Sequence, residues 1–368
     1  MSQARDFADS FSAVSTGRRN LVINGAMQVA QRGTSSTSTG RQTVDRFYNT
    51  AATDGTITQS QTSITSGDPY DAGFRNVYRH TVTTASTNPA ASHYLGVLYK
   101  AEAQDVVGSG WNYTSTSSSV TLSFWAKSSV AGTYVTSLRS QDGTQQDYTF
   151  EYTLTANTWK KVTHTFIGDS NITVTNDNGS GLLINFWLYL GGNYTDSGHT
   201  NNAWAAYSST SQASDFAQNL MTTASATFDI TGVQLEVGDT ATPFEHRSYG
   251  EELALCQRYF CKSYNYSVAP GTASTDGQWT GNIVRNASNQ NYWHIEYPVE
   301  MRAKATTKHY SPDDGSGTAI FYNITDSTNY VSAASYTGSA GSSVRPNAGT
   351  GQGLGDVIGF HWTADAEL

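Results

Sequence analysis

The feature that most constrains this chain is a period-two alternation of apolar and polar residues, repeated in short blocks. Val120, Leu122, Phe124 and Ala126 alternate with Thr121, Ser123, Trp125 and Lys127. Phe150, Tyr152 and Leu154 alternate with Glu151 and Thr153, and Leu182, Ile184, Phe186, Leu188 and Leu190 alternate with Leu183, Asn185, Trp187 and Tyr189. Successive strand residues point to opposite faces, so each block marks a strand with a buried side. The dipeptides Asp54-Gly55, Asp142-Gly143, Asn178-Gly179 and Gly191-Gly192 punctuate the blocks; such pairs favour tight turns. The expected fold is all-β: an antiparallel jelly-roll sandwich over residues 20–247.

Helical signals flank this region. Ser248-Tyr249-Gly250-Glu251 has the form of a capping box, and Leu253, Cys256 and Phe260 come after it at spacings of three and four. A linking helix over 248–262 is expected. Residues 1–19 read as a second helix, with Ala4, Phe7, Phe11 and Val14 as a short seam for trimer contact or virion attachment. Such short helices are marginal in water unless they pack on something. Their apolar stripes, with no partner of their own, predict a homotrimer. Beyond the linking helix, 263–368 reads as a small β tip domain. Its strands include Tyr292–Tyr297, Ala319–Ile324 and Val357–Trp362, and Tyr336–Ser343 reads as a flexible loop. Cys256 and Cys261 are too few for a disulfide framework or a zinc site and read as packed thiols.

Composition narrows the function. Charged residues are only 14% of the chain, yet aromatics are 12%. Enough ring area is therefore available to build a core beneath a polar, uncharged skin. A net charge of −9 opposes nucleic-acid binding, which needs clustered Lys and Arg. No apolar run suits membrane insertion, and Met1 to Asn20 does not read as an export signal.

Several ordered motifs together resemble a family of phage tail-fibre and receptor-binding proteins. They include Asn20–Thr34 (NLVINGAMQVAQRGT), Thr43–Phe47 (TVDRF), Leu122–Lys127 (LSFWAK) and Trp159–Val162 (WKKV). The likeness continues through Ile230–Gly238 (ITGVQLEVG), Thr242–Arg247 (TPFEHR), Tyr249–Leu253 (YGEEL) and Cys256–Phe260 (CQRYF). It returns at Tyr297–Arg302 (YPVEMR) and Thr363–Leu368 (TADAEL). The resemblance implies a jelly roll related to carbohydrate-binding modules, then a helix and a C-terminal tip, assembled as a homotrimer. It implies a structural virion protein, made in the host cytoplasm, that contacts other tail or capsid proteins through its N-terminus and host surface polysaccharide elsewhere. Many modules of this kind hold a structural Ca²⁺. Here the matching positions are Gln28, Thr231 and Gly232, which lack the anionic oxygens Ca²⁺ prefers. Asp229 is one nearby carboxylate, and no metal or cofactor is expected.

Trp125, Trp187 and Tyr189 lie opposite the apolar residues of their strands, with Asn185, Lys127 and Glu151 at the same parity. Rings beside amides and charges suit sugars, whose C–H faces stack and whose hydroxyls bond; packing under a loop or a neighbouring subunit is the alternative. Trp204 and Tyr207 belong to a loop from Asp196 that reads as either a binding loop or a cover over one sheet. Trp279 and Trp293 form a second aromatic group that serves either the receptor or a trimeric core. Common catalytic motifs and depolymerase-type repeats are not recognisable. Asp68, Asp71, Asp142, Asp147 and Glu151 are scattered carboxylates in which spacing singles out no glycosidase pair. The expectation is a binding protein and not an enzyme. A glycan depolymerase, or a non-binding capsid fibre or adaptor, stands as the alternative.

Overall fold

A computed structural model describes residues 19–215, 218–284, 291–317, 319–346 and 353–368. The expected N-terminal seam from Ala4 to Val14 lies outside the described residues. The first unit holds β1 (Ser35–Ser36), β2 (Phe47–Ala52), β3 (Thr56–Ser63), β4 (Asn76–Thr84), β5 (Tyr94–Glu102) and β6 (Ser119–Ser128). It continues with β7 (Gly132–Ser140), β8 (Gln146–Leu154), β9 (Lys160–Ile167), β10 (Ser180–Leu190), β11 (Trp204–Ala206) and β12 (Thr227–Val237). Two antiparallel sheets result, ordered β1-β3-β4-β12-β6-β9 and β11-β8-β7-β10-β5-β2. This is the expected sandwich.

The inward rows of the alternating blocks meet between the sheets. Phe124 of β6 packs edge-on against Phe186 of β10 at 5.0 Å and Tyr152 of β8 at 5.4 Å. Edge-to-face pairs of this kind add about 0.5–1.5 kcal/mol each beyond area burial. In β10 the alternation does not run to the end. Its register against β5 slips between Trp187 and Tyr189. A bulge of one residue reverses the facing of the residues beyond it. Leu190 therefore joins Trp187 in the cluster outside the second sheet, while Tyr189 packs against the sandwich core.

The second unit begins with a helix, Tyr249–Gln257. The capping box is formed: Ser248 Oγ accepts from the Glu251 N–H at 3.3 Å, and Glu251 Oε2 accepts from the Ser248 N–H at 2.9 Å. The expected helix to residue 262 is too long, because Phe260–Lys262 is β13, paired with the last strand. The remaining strands are β14 (Trp279–Asn282), β15 (Trp293–Glu296), β16 (Thr306–Tyr310), β17 (Ile320–Asn323), β18 (Thr328–Ser335), β19 (Gly341–Pro346) and β20 (Val357–Asp365). They form one sheet, β13-β20-β17-β18-β19-β15, with β14 and β16 also on β20. The loop expected to reach Ser343 is shorter than that, since Gly341–Ser343 already pairs with β15. The helix buries Cys256 against Ile23, Val29 and Tyr259, with Leu253 and Leu368 alongside. Its apolar stripe is thus covered within one chain and by itself asks for no second copy.

The chain's end returns to the first unit. Arg46, fully buried in the sandwich, pairs with Glu367 and lies 3.4 Å over the Tyr259 ring. Arg41 reaches Glu367 at 3.3 Å and the Leu368 carbonyl at 2.7 Å, and Arg32 reaches Glu367 at 3.4 Å. Burial alone would raise the Glu367 pKa, but Arg46, Arg41 and Arg32 outweigh it and hold the carboxyl below the usual range. Its contribution to stability is therefore complete above the unfolded pKa of about 4.3 and is lost as pH falls through the lower folded value. Glu367→Ala leaves buried guanidinium groups without their counter-charge. It is expected to lower unfolding stability by about 3–5 kcal/mol at neutral pH, and the deficit should narrow in acid. Urea denaturation across pH checks both.

Candidate functional site

Both faces of the second sheet are apolar at β10, so its outer face needs a cover. The segment 191–213 supplies one. The Asp196 N–H donates to the Ala213 carbonyl at 3.0 Å, and the Gln212 N–H to that of Tyr194 at 2.8 Å, folding the segment on itself. Trp187, Val135 and Leu190 are buried beneath it, packed with Ala213 of the segment itself. Tyr94 bridges sheet and cover, edge-on to Trp187 at 6.4 Å and to Tyr194 at 5.5 Å.

The cover does not close completely. A cleft of about 310 Å³ remains, lined among others by Tyr94, Arg139, Asn185, Trp187, Tyr207 and Gln212. That lies at the lower end of the range for small-molecule sites. Arg139 is held flat by three neighbours. Its Nε pairs with Asp147 at 3.1 Å, its Nη2 donates to Gln212 Oε1 at 3.2 Å, and its plane lies 3.4 Å from the Tyr207 ring centre. Asn185 donates from Nδ2 to Ser137 Oγ at 2.9 Å. The Trp187 Nε1–H is buried and has no acceptor among the described residues. An unpaired buried donor costs about 1–3 kcal/mol, so a bound acceptor would be rewarded there. Rings, an oriented guanidinium, amides and an unused donor together match a polyhydroxylated ligand.

Of the residues singled out in the sequence, Trp187, Asn185 and Tyr207 come together in this cleft. Tyr189 does not, because of the bulge. Trp125 and Lys127 are in β6, on the opposite sheet, so their shared parity does not bring them together with Trp187. Trp125 instead packs by Gly232, where a β-carbon would meet Phe74 at 2.6 Å and Trp125 at 3.1 Å. Lys127 lies 4.6 Å from the Trp159 ring centre and 3.4 Å from Asp229, which also forms a two-pronged pair with Arg79. Trp204 packs edge-on to Tyr148 at 5.4 Å and donates its indole N–H to the Ile167 carbonyl at 2.6 Å. Trp293 is buried in the second unit's core, with Trp279 between it and Phe360 at 5.8 and 5.1 Å. The exposed rings of that unit include Tyr292 and Tyr336, 6.1 Å apart, with Tyr336 81% exposed.

Tyr94, Arg139 and Gln212 were not singled out from the sequence. Tyr94 had one available signal. It precedes Gly96, where a β-carbon would sit 2.6 Å from the Trp187 ring, so the glycine makes room for the tryptophan. Among the scattered carboxylates, Asp147 is committed to Arg139, Glu151 accepts from Asn201 at 2.8 Å and from Ser214, and Asp142 accepts from the Thr175 N–H at 2.9 Å. None of the described residues lining the cleft is Asp or Glu.

No family profile matches the chain, and no curated protein matches it in sequence. Solved structures similar to it include the family 11 carbohydrate-binding module of a Clostridium thermocellum cellulosomal cellulase. That module is 12% identical, covering 59% of this chain and 99% of the module at a TM-score of 0.27. The N-terminal cellulose-binding domain of Cellulomonas fimi β-1,4-glucanase C is 13% identical over 58% of this chain and 99% of its own, at a TM-score of 0.28. A cyclase from Fischerella sp. TAU is 12% identical over 56% and 90%, at a TM-score of 0.32.

Gly96→Val is expected to push the Trp187 ring from its seat and to cost about 1–3 kcal/mol by overpacking. The checks are a lowered melting temperature and a change in tryptophan fluorescence; an unchanged spectrum would count against that seat.

Proposed function

We propose that this chain is a non-catalytic glycan-binding protein of a phage fibre, and that the cleft beneath segment 191–213 holds the sugar. The observation that carries the reading is the Trp187 indole: buried, unpaired at Nε1 among the described residues, and lining a cleft with Tyr207, Tyr94 and the fixed Arg139. A sugar seated in the cleft with a hydroxyl in the plane of the indole would satisfy that donor, and Arg139, Asn185 and Gln212 would select among hydroxyl positions. The described residues of the lining include no carboxylate and so supply neither acid nor nucleophile for glycoside cleavage, which favours binding over hydrolysis. Placement in a virion rests on the motif resemblance, as does trimerisation now that the linking helix is covered within the chain. Three chains would multiply weak sites by avidity, by roughly 10²–10⁴.

The test is titration of host surface polysaccharide fragments by calorimetry. Trp187→Phe keeps a ring and removes the donor; Tyr207→Ala removes one wall. Each is expected to weaken binding about tenfold, close to 1.4 kcal/mol, with no shortening of the glycan. Tyr336→Ala in the second unit serves as the comparison. If it alone abolishes binding, the receptor site belongs to the exposed Tyr292–Tyr336 pair and the cleft does not carry the function. Light scattering of the dilute protein is expected to give the mass of three 39.7 kDa chains; a lone chain would sink the trimer.

A further inference from the structure

A second cleft, of about 510 Å³, opens where the two units meet. Its floor is set by strand register. Thr306 pairs with Asp365, and Lys308 with Thr363, between β16 and β20. Phe260 of β13 is also opposite Asp365, so these side chains share one face. The opposite face, with Cys261, Trp362 and Ala364, is buried in the second unit's core. The wall across the floor is the first unit's Arg32, Arg41 and Gln42.

The charges in this cleft are unequally satisfied. Arg32 lies 3.7 Å over the Phe260 ring and pairs with Asp365 at 3.0 Å; Arg41 pairs with Glu367 at 3.3 Å. Lys308 lines the same cleft, is exposed, and has no salt bridge among the described residues. Two residues along the strand, about 6.6–6.8 Å away, Tyr310 lines the cleft with its ring against Gly317, where any side chain would collide with it. A fixed ring, one uncompensated ammonium at that spacing and the hydroxyls of Thr306 and Thr363 form an arrangement the neutral cleft under 191–213 lacks.

We propose that the junction cleft binds a carboxylate-bearing sugar, with its ring on Tyr310 and its carboxylate at Lys308. This site is separate from the one proposed above, and its ligand is a uronic acid unit, recognised by its charge. Binding there would also bridge the units, since Arg41 and Gln42 belong to one and Lys308 and Tyr310 to the other.

The probes are a galacturonate oligosaccharide and its carboxyl-reduced, neutral counterpart, titrated into the full-length protein by calorimetry. The acidic oligomer is expected to bind at least tenfold more tightly than the neutral one, and more weakly as salt is raised from about 50 to about 500 mM. Lys308→Gln should remove that preference, Lys308→Arg should retain most of it, and Trp187→Phe should leave it unchanged. Lys308 is exposed, so circular dichroism of the variants is expected to match the parent. Equal binding of both oligomers, an unaltered preference in Lys308→Gln, or loss of acidic binding through Trp187→Phe would each overturn the proposal. The first cleft is judged separately, by Trp187→Phe and Tyr207→Ala against host polysaccharide, so its failure and the failure of this site are distinguishable.

Discussion

The carboxylate of Glu367 is the interaction on which the arrangement of this chain depends. It comes from the segment after the last strand and ends among three arginines of the sandwich, Arg32, Arg41 and Arg46. A charge as deeply placed as Arg46, with no exposed surface, is costly without a partner. Its other neighbours come from both units: the Lys100 carbonyl, accepting from Nη2 at 2.8 Å, and the Tyr259 ring. Beside it, Glu102 accepts from Arg258 at 2.6 and 3.0 Å and from the Tyr259 hydroxyl at 2.7 Å. The junction is therefore polar, ordered and internally compensated. It behaves less like a linker than like a second core built from ion pairs.

Lys262 extends the same junction. Its ammonium donates to the Gln31 carbonyl of the sandwich at 2.6 Å and to the Val268 and Tyr266 carbonyls of the second unit at 2.7 and 3.1 Å. Burial lowers its pKa to about 8, with Asp45 opposing the shift. A lysine whose folded pKa is depressed in this way disfavours the folded form, and does so fully below that value. The three carbonyl contacts offset part of this penalty and give the ammonium its position. Specific geometry is thus obtained at some expense of stability, whereas Lys308 on the same sheet face has no salt bridge among the described residues.

Much of the sandwich was legible because its strands obey local rules. Val120 to Ala126 and Leu182 to Phe186 alternate with the period of a strand, although the outer rows are largely covered as well, and Ser248 with Glu251 forms the cap its spacing describes. The features that were not legible depended on pairing at long range. Nothing in the sequence of β10 marks the slip at Leu188, yet it turns Tyr189 inward. Parity places Trp125 and Trp187 opposite their cores but does not say that they belong to different sheets. Arg139 and Tyr94 reach the cleft only through the order β7-β10-β5. In the second unit the alternation at Tyr292–Tyr297 was real, but which row faces the core was undecided. The structure buries Trp293, Ile295 and Tyr297 and exposes Tyr292, His294 and Glu296.

The distribution of cations connects the junction with the two clefts. The chain carries a net charge of −9, and many of its arginines are occupied by internal carboxylates. Arg79 is paired with Asp229, Arg139 with Asp147, Arg247 with Glu252 and Arg258 with Glu102, in addition to those around Glu367. Much of the arginine charge is thus committed to holding the fold. On such a surface an exposed ammonium without a partner is a local feature, not part of a broad field. The Arg139 guanidinium, neutralised by Asp147 and flattened on Tyr207, is then suited to orient neutral hydroxyls. Lys308, beside Tyr310 and answered by no carboxylate among the described residues, is suited to one anionic group. The difference between the clefts arises from where the internal ion pairs end.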